Sequence, residues 1–241
     1  MAVSQGSLCV GACLISEHPH PGSLDLTLRN MNVCGMEPDD RILDIGCGSG
    51  DTVRYLCERG YRATGMDIRY AMLHDCNQTG LPLFQADWLL TPVAGGTMDV
   101  VFAECTFSLI EHLDDLLKEI RRVLRTGGKL VFNGMYARNA VALEGIRALG
   151  KDCSLGFMKG QTEIEHALTV NGFALQTWED QSGVLRNISQ GEQILRWQGS
   201  VCAEPSVTGI DLLNHSNTDA MDTFLAVAKA RLGYYLAVAE K

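Results

Sequence analysis

The sequence predicts an α/β fold with a mostly parallel β-sheet and helices on both of its faces. Three observations predict it: strand-length apolar segments alternate with segments of helical periodicity, a glycine-rich turn follows the first strand, and acidic residues end several strands. In such a sheet ligands lie at the carboxyl ends of the strands. The first five strands are predicted near 41–45, 62–66, 82–86, 98–103 and 128–133.

The segment RILDIGCGSG, residues 41–50, is the most informative part of the chain. Its apolar residues form a central strand, and its three glycines remove side chains from the turn that follows, so that the backbone can approach a ligand closely. The next segment, DTVRYLCERG, has helical spacing and ends on a glycine. A strand, a glycine loop and a helix are therefore predicted in succession.

The spacing of the glycines separates two classes of cofactor. Gly46, Gly48 and Gly50 give GxGxG, whereas dinucleotide-binding turns need the third glycine three positions after the second. Asp44 ends the strand, where a carboxylate would repel a pyrophosphate and could hold an ammonium group. Asp67 ends the next strand, where a carboxylate that binds both ribose hydroxyls is expected. The pattern favours a zwitterionic nucleoside ligand.

With these residues the chain resembles the class I S-adenosylmethionine-dependent methyltransferases, in particular the small-substrate group related to the quinone-biosynthesis enzymes. Further similar blocks are FQADW, DVVFAECTFSLIEH and RRVLRTGGKLVF. The resemblance implies a Rossmann-like sheet of seven strands in the order 3-2-1-4-5-7-6, with the last strand antiparallel. It also implies S-adenosylmethionine as cofactor and S-adenosylhomocysteine as product. The cofactor-binding residues that it implies are Asp44, Gly46, Cys47, Gly48, Gly50, Asp67, Ile68, Met72, Ala86, Asp87, Trp88 and Glu104.

Three residues are candidates for the catalytic side. Cys105 follows the fourth strand and is either a substrate-facing thiol or a small packing residue. His112 is either near the methyl acceptor or a surface residue at a helix N-terminus. His20, in the EHPHPG run, is a candidate base facing the cofactor cleft. Methyl transfer from an activated sulfonium needs a base only for a protonated acceptor, so the acceptor itself is not predicted.

The length of 241 residues predicts one domain, 1–241. The resemblance implies an N-terminal lid and helix over 1–36 and a helical insertion over 181–231. The first helix is predicted near residues 23–36, with Leu24, Leu28, Met31 and Cys34 on its apolar face. Trp197, in the insertion, is either a packing residue or a contact in a homodimer.

The net charge of −9 argues against nucleic acid and anionic membranes as partners and favours a small-molecule acceptor. Neither a signal peptide nor a membrane span is predicted, so a cytoplasmic location is expected. No metal site is predicted. Cys9 and Cys13 are either two thiolates on one helical face or small residues of a docking segment.

Methyl transfer to a small molecule is the leading functional hypothesis. A second is a partner protein that binds the cofactor without turnover, and a third is a nicotinamide-dependent oxidoreductase. The intact acidic residues support cofactor binding under the first two hypotheses alike. The GxGxG spacing and Asp87 speak against the third.

Overall fold

The computed structural model describes residues 23–70, 73, 80–148, 157–186, 225–226 and 228–241. Its centre is a seven-stranded sheet in the order β3-β2-β1-β4-β5-β7-β6. The first six strands run parallel, and β7 pairs antiparallel with both β5 and β6. The predicted fold class is therefore confirmed. The strands are β1 Arg41–Ile45, β2 Arg62–Asp67, β3 Leu83–Gln85, β4 Met98–Glu104, β5 Leu124–Ala137, β6 Ala174–Asp180 and β7 Leu232–Glu240.

Helices cover both faces of the sheet, because alternate residues of each strand carry apolar side chains to opposite sides. On one face, residues of α1 and α2 pack with Ile42 and Phe102. On the other, residues of α3 and α5 pack with Leu43 and Val101. The helices with described bounds are α1 Ser23–Cys34, α2 Asp51–Glu58, α3 Leu113–Val123, α4 Leu143–Arg147 and α5 Gln161–Val170.

Helix α1 differs from its prediction in the face that it buries. Leu28 is 41% exposed, whereas Thr27 and Asn30 are fully buried beside Met31 and Cys34. The predicted apolar face was wrong at Leu28 because hydropathy cannot anticipate buried polar residues that have a polar partner in another element. That partner is described with the site below.

Strand β5 is longer than predicted at both ends, running over 14 residues. It begins before the Gly-Gly pair, where the pairing with β4 shifts register, and Gly127 has a φ of 71°. It continues to Ala137 because β7 pairs with it along that whole stretch. Because of this shift in register, the pattern of apolar residues alone does not reveal the first part of the strand.

Several sequence predictions fall outside the described residues: Met72, His20, Cys9, Cys13 and Trp197. The same holds for the first 22 residues of the predicted 1–36 segment and for most of the 181–231 insertion. Within the described ranges, no helix has the length and apolarity needed to cross a membrane.

Candidate functional site

The glycine loop joins β1 to α2 at the carboxyl edge of the sheet. Gly46, Gly48 and Gly50 all have positive φ, at 78°, 53° and 78°, a conformation that other residues adopt at a cost. At Gly46, a Cβ would lie 2.9 Å from Thr106 Oγ1. The backbone of Gly46 and of Cys47 donates to the carbonyl of Met66, which fixes the loop to the end of β2. The loop is thus a rigid cradle with few side chains.

Asp44 precedes this loop by one residue and is buried, with 3% of the residue exposed. Burial, and then the charges of Glu104 and Asp67, hold its pKa well above the ordinary value. No hydrogen bond from a described residue reaches its carboxylate. A buried acidic group without a donor is costly, so the site is built to receive a cation or a set of N–H donors.

Glu104, at the end of β4, is instead fully engaged by donors from three elements. Asn30 Nδ2 and Asn133 Nδ2 donate to its Oε1 at 2.9 and 2.8 Å, and Thr52 Oγ1 donates to its Oε2 at 2.7 Å. Thr27 Oγ1 lies 3.3 Å from both oxygens. These buried polar residues explain the face that α1 presents to the sheet. Glu104 therefore holds α1, α2 and β5 together at the site.

Asn30 was not identified from the sequence. Its side chain has no exposure, yet its Oδ1 accepts no hydrogen bond from the part of the chain that the structure describes. An unmet buried acceptor costs about 1–3 kcal/mol. The only signal in the sequence is a pair of polar residues, Thr27 and Asn30, three positions apart on a helix that otherwise buries apolar side chains.

Asp67, at the end of β2, is buried and already bonded. The Gly48 amide donates to Oδ2 at 3.0 Å, and Arg69 binds the carboxylate through its backbone amide and its guanidinium. The carboxylate thus also fixes the glycine loop. A ribose at this position would share the carboxylate with Arg69 or replace it there; the sequence reasoning did not identify Arg69.

Four predicted residues lie along the β2 and β3 end of the same edge. Ile68 is 47% exposed directly after β2, and the amide of Ala86 donates to the carbonyl of Asp67. Asp87 caps a short 3-10 turn by accepting from the amide of Leu89 at 2.9 Å. Trp88 is half-buried and packs against the core. An exposed aliphatic side chain beside a carboxylate suits a planar heterocycle with an amino group.

Cys105 has a positive φ of 54°, which is unusual for a residue other than glycine and indicates strain at the end of β4. Its Sγ lies 3.1 Å from the hydroxyl of Tyr234, which in turn donates to Asn133 Oδ1 at 2.7 Å. Burial, and then Cys105, raise the pKa of Tyr234 well above its ordinary value. Cys105 therefore joins the same polar cluster as Glu104. Its role toward a substrate stays a prediction.

His112 is exposed and precedes the first residue of α3, with its carbonyl accepting from the amide of Leu116 at 3.4 Å. This is the position that the surface alternative for His112 predicts. The catalytic alternative stays a prediction.

Lys159 was also missed by the sequence reasoning. Its ammonium donates to the backbone carbonyls of Ile110 and Phe157 at 2.8 Å each and approaches that of Phe107 at 3.4 Å. It thereby joins the loop after β4 to the segment before α5. Burial lowers its pKa to about 8. A single lysine before a helix carries no local signal of this contact.

Replacing Lys159 with methionine is expected to change how stability depends on pH. Between about pH 8 and the ordinary lysine pKa, the unfolded chain holds a proton that folded Lys159 has released, so raising the pH stabilises the wild type relative to the variant. The slope is at most about 1.4 kcal/mol per pH unit. Urea unfolding of both proteins at pH 7 to 10 measures it.

The matched control is Lys118→Met. The ammonium of Lys118 is exposed and pairs with Asp115, which raises its pKa. Because Lys118→Met retains Lys159, the stability of the wild type relative to this variant is expected not to rise with pH in this range. Parallel stability curves for wild type and Lys159→Met would contradict the prediction.

A cavity of about 520 Å³ opens at the same edge of the sheet, farther along toward β6. Arg138 follows β5, Asp180 ends β6, and their side chains approach to 3.8 Å. Ser182 and Leu232 also line the cavity. The cavity lies beside β5, the strand that contains Asn133. A polar ligand in it could contact the positive charge of Arg138 and the negative charge of Asp180.

Comparison with known proteins agrees with this geometry. Residues 43–132 match a family described as a methyltransferase domain. The chain is 31% identical over 142 residues to a malonyl-[acyl-carrier protein] O-methyltransferase of Enterobacter lignolyticus (strain SCF1), covering 57% of each protein. It is 23% identical to a demethylmenaquinone methyltransferase of Corynebacterium urealyticum (strain ATCC 43042 / DSM 7109), over 78% of this chain and 79% of that protein.

Among solved structures, geranyl diphosphate methyltransferase in complex with SAM superposes with a TM-score of 0.64 at 18% identity. The superposition covers 92% of this chain and 86% of that one. Residues 43–132 thus match a methyltransferase domain, and the chain has the fold of solved methyltransferase structures. The resemblance inferred from the glycine loop and the strand-end residues is thereby confirmed. The chain spans little more than half the length of the Enterobacter lignolyticus relative.

Proposed function

We propose that this methyltransferase domain transfers a methyl group from S-adenosylmethionine to a small-molecule acceptor and releases S-adenosylhomocysteine. The observation that carries the proposal is the buried Asp44, whose carboxylate receives no hydrogen bond from a described residue and which precedes a loop of three glycines with positive φ. This pairing suits a zwitterionic nucleoside, whose ammonium group and positive sulfur complement an acidic site.

The residues around the loop fit the parts of such a cofactor. Asp44, Glu104 and the loop from Gly46 through Cys47 to Gly50 would surround the methionine end. Asp67 would accept from the ribose hydroxyls. Ile68, Ala86, Asp87 and Trp88 would contact the adenine and its amino group. Together the proposed positions follow the carboxyl ends of four adjacent strands, β3, β2, β1 and β4.

S-adenosylmethionine would supply a methyl group that is already activated on a sulfonium. The chain's own task is then to bind the cofactor and the acceptor, to align the acceptor atom and to exclude water. The rigid loop and the Glu104 network serve this task because they fix the cradle before the ligand arrives. Cys105 would lie on the acceptor side of the network and face the reacting groups.

The 520 Å³ cavity near Arg138 and Asp180 is a candidate subsite for the acceptor. Its paired charges favour a polar or ionic acceptor group over a purely aliphatic one. The relatives named above act on chemically different acceptors, so an acceptor screen should include carboxylic acids, thiols and quinols. A homodimer stays a prediction that sedimentation of the purified protein can test.

Titration calorimetry of the reduced protein with S-adenosylhomocysteine, S-adenosylmethionine and NAD tests the proposal. Both sulfur nucleotides are expected to bind and NAD is not. Binding of NAD alone would favour the oxidoreductase alternative and overturn the proposal. Binding of the sulfur nucleotides without turnover of any acceptor in the screen would favour the non-catalytic partner protein.

Replacing Asp67 with alanine is expected to weaken binding of S-adenosylhomocysteine by about 1.5–3 kcal/mol, the contribution of hydrogen bonds to a charged group. The change removes the proposed ribose acceptor and the anchor of Gly48 together. Asp67→Asn separates the two roles, since its amide oxygen can still accept from Gly48. An affinity unchanged in both variants would refute the assignment of Asp67 to the ribose.

A further inference from the structure

The side-chain oxygen of Asn30, in α1, has no role in the cofactor contacts proposed above. Asn30 is fully buried, its Nδ2 is committed to Glu104, and its Oδ1 is the one buried side-chain polar atom among the described residues that lacks a partner. The amide is held in this orientation because the reverse would place Oδ1 against the carboxylate of Glu104. The free acceptor is therefore a consequence of the network and not an arbitrary choice of rotamer.

Asp44, in β1, keeps 3% exposure, and its carboxylate receives no hydrogen bond from a described residue. It pairs with Phe102, two residues before Glu104, so the side chains of Asp44 and Glu104 leave the sheet on the same face. This is the face that α1 covers. After burial, the negative charge of Glu104 is the main cause of the raised pKa of Asp44. Asn30 and Asp44 thus each present an acceptor without a described donor on the face of the sheet that carries Glu104, whose own carboxylate already accepts hydrogen bonds.

A single group with several N–H donors and a positive charge would satisfy both acceptors. An alkylammonium group has three N–H donors and no acceptor. A neutral water molecule could reach either acceptor but would leave the excess negative charge of Asp44 and Glu104 uncompensated. In the proposed cofactor, the ammonium belongs to the methionine end, which the Asp44 side of the loop would hold.

We propose that Asn30 of α1 binds the ammonium group of the cofactor together with Asp44, and that Glu104 is a positioning residue that orients the Asn30 amide. This inference rests on the proposed function. It makes α1 part of the cofactor site, so that the helix contributes a ligand contact in addition to covering the sheet.

Calorimetry with two ligands tests the inference. S-adenosylhomocysteine has the ammonium group, whereas 5′-methylthioadenosine shares the adenosine and the thioether but lacks the amino acid portion. Asn30→Leu is expected to lower the affinity for S-adenosylhomocysteine about tenfold to a hundredfold and to leave that for 5′-methylthioadenosine unchanged. Asn30→Ser keeps a hydroxyl donor for Glu104 but removes the amide oxygen, so it is expected to lose the preference for S-adenosylhomocysteine as the leucine variant does.

Thr27→Val is the matched control, because Thr27 contacts Glu104 from the same buried face of α1. If Asn30 only anchors the helix, Thr27→Val and Asn30→Leu will reduce the affinity for both ligands alike, and the inference is overturned. It is also overturned if Asn30→Leu binds S-adenosylhomocysteine as the wild type does. If the leucine variant fails to fold, an unchanged preference in Asn30→Ser has the same consequence.

If the proposed function itself is wrong, the calorimetry gives a different result. In that case the wild type binds neither ligand, and no variant can be compared. Wild-type binding of both ligands with an equal loss in Asn30→Leu leaves the proposed function intact and removes only the contact from α1.

Discussion

Asp44→Asn is expected to stabilise the ligand-free protein while weakening its binding of S-adenosylhomocysteine. The substitution keeps the shape of the side chain and removes a buried carboxyl group that receives no hydrogen bond from a described residue and whose ionised form is repelled by Glu104 and Asp67. The new amide can donate to the acceptor-rich cluster. Affinity should fall about tenfold to a hundredfold, since hydrogen bonds between charged partners contribute about 1.5–3 kcal/mol. The midpoint of thermal unfolding should rise by about 2–4 °C for each kcal/mol gained.

The pH dependence of this gain has a definite sign. Because the folded state holds the proton of Asp44 at pH values where the unfolded chain has released it, the wild type loses stability as the pH rises through the raised pKa. The advantage of Asp44→Asn should therefore be small below the ordinary aspartate pKa and grow as the pH increases. Thermal unfolding at several pH values measures it.

The control for Asp44→Asn is Asp39→Asn, since the side chain of Asp39 is 93% exposed in a loose ion pair with Arg62. That variant is expected to leave both stability and affinity near the wild-type values. A loss of stability in Asp44→Asn would mean that Asp44 has a donor in solution, and it would remove the main support for the cofactor site.

Glu104→Ala is expected to lower the free energy of unfolding by about 3 kcal/mol or more. It leaves the buried amides of Asn30 and Asn133 and the hydroxyl of Thr52 without their acceptor, at about 1–3 kcal/mol for each group that water does not reach. Urea unfolding measures the loss.

Glu104→Gln is the matched variant, because its amide oxygen can still accept from both asparagines and the hydroxyl of Thr52 can reverse to accept from the new amide. Its loss should be about 1 kcal/mol. Equal losses in the alanine and glutamine variants would show that the acceptor geometry of Glu104 is not what holds α1, α2 and β5 together.

Much of the framework could be predicted from the sequence, because it depends on local patterns. Apolar strands alternate with helices, and this pattern specifies the parallel sheet. Gly46, Gly48 and Gly50 were predicted to form an open turn, and all three take the backbone conformation that favours glycine. Asp44 and Asp67 were located by their places at strand ends, which a parallel fold brings to one edge.

Only the tertiary structure shows which polar side chains at that edge form hydrogen bonds with one another. Glu104 meets Asn30 across 74 residues, Cys105 meets Tyr234 across 129, and Lys159 reaches the carbonyl of Ile110 across 49. Periodicity cannot reveal such contacts, since it reports which face is apolar, whereas these polar groups are buried because a distant partner satisfies them. The sequence by itself determined the sheet, the glycine loop and the acidic strand ends. The packing of α1 against β4 and β5 decided which of the buried acceptors receive hydrogen bonds from the described residues and which do not.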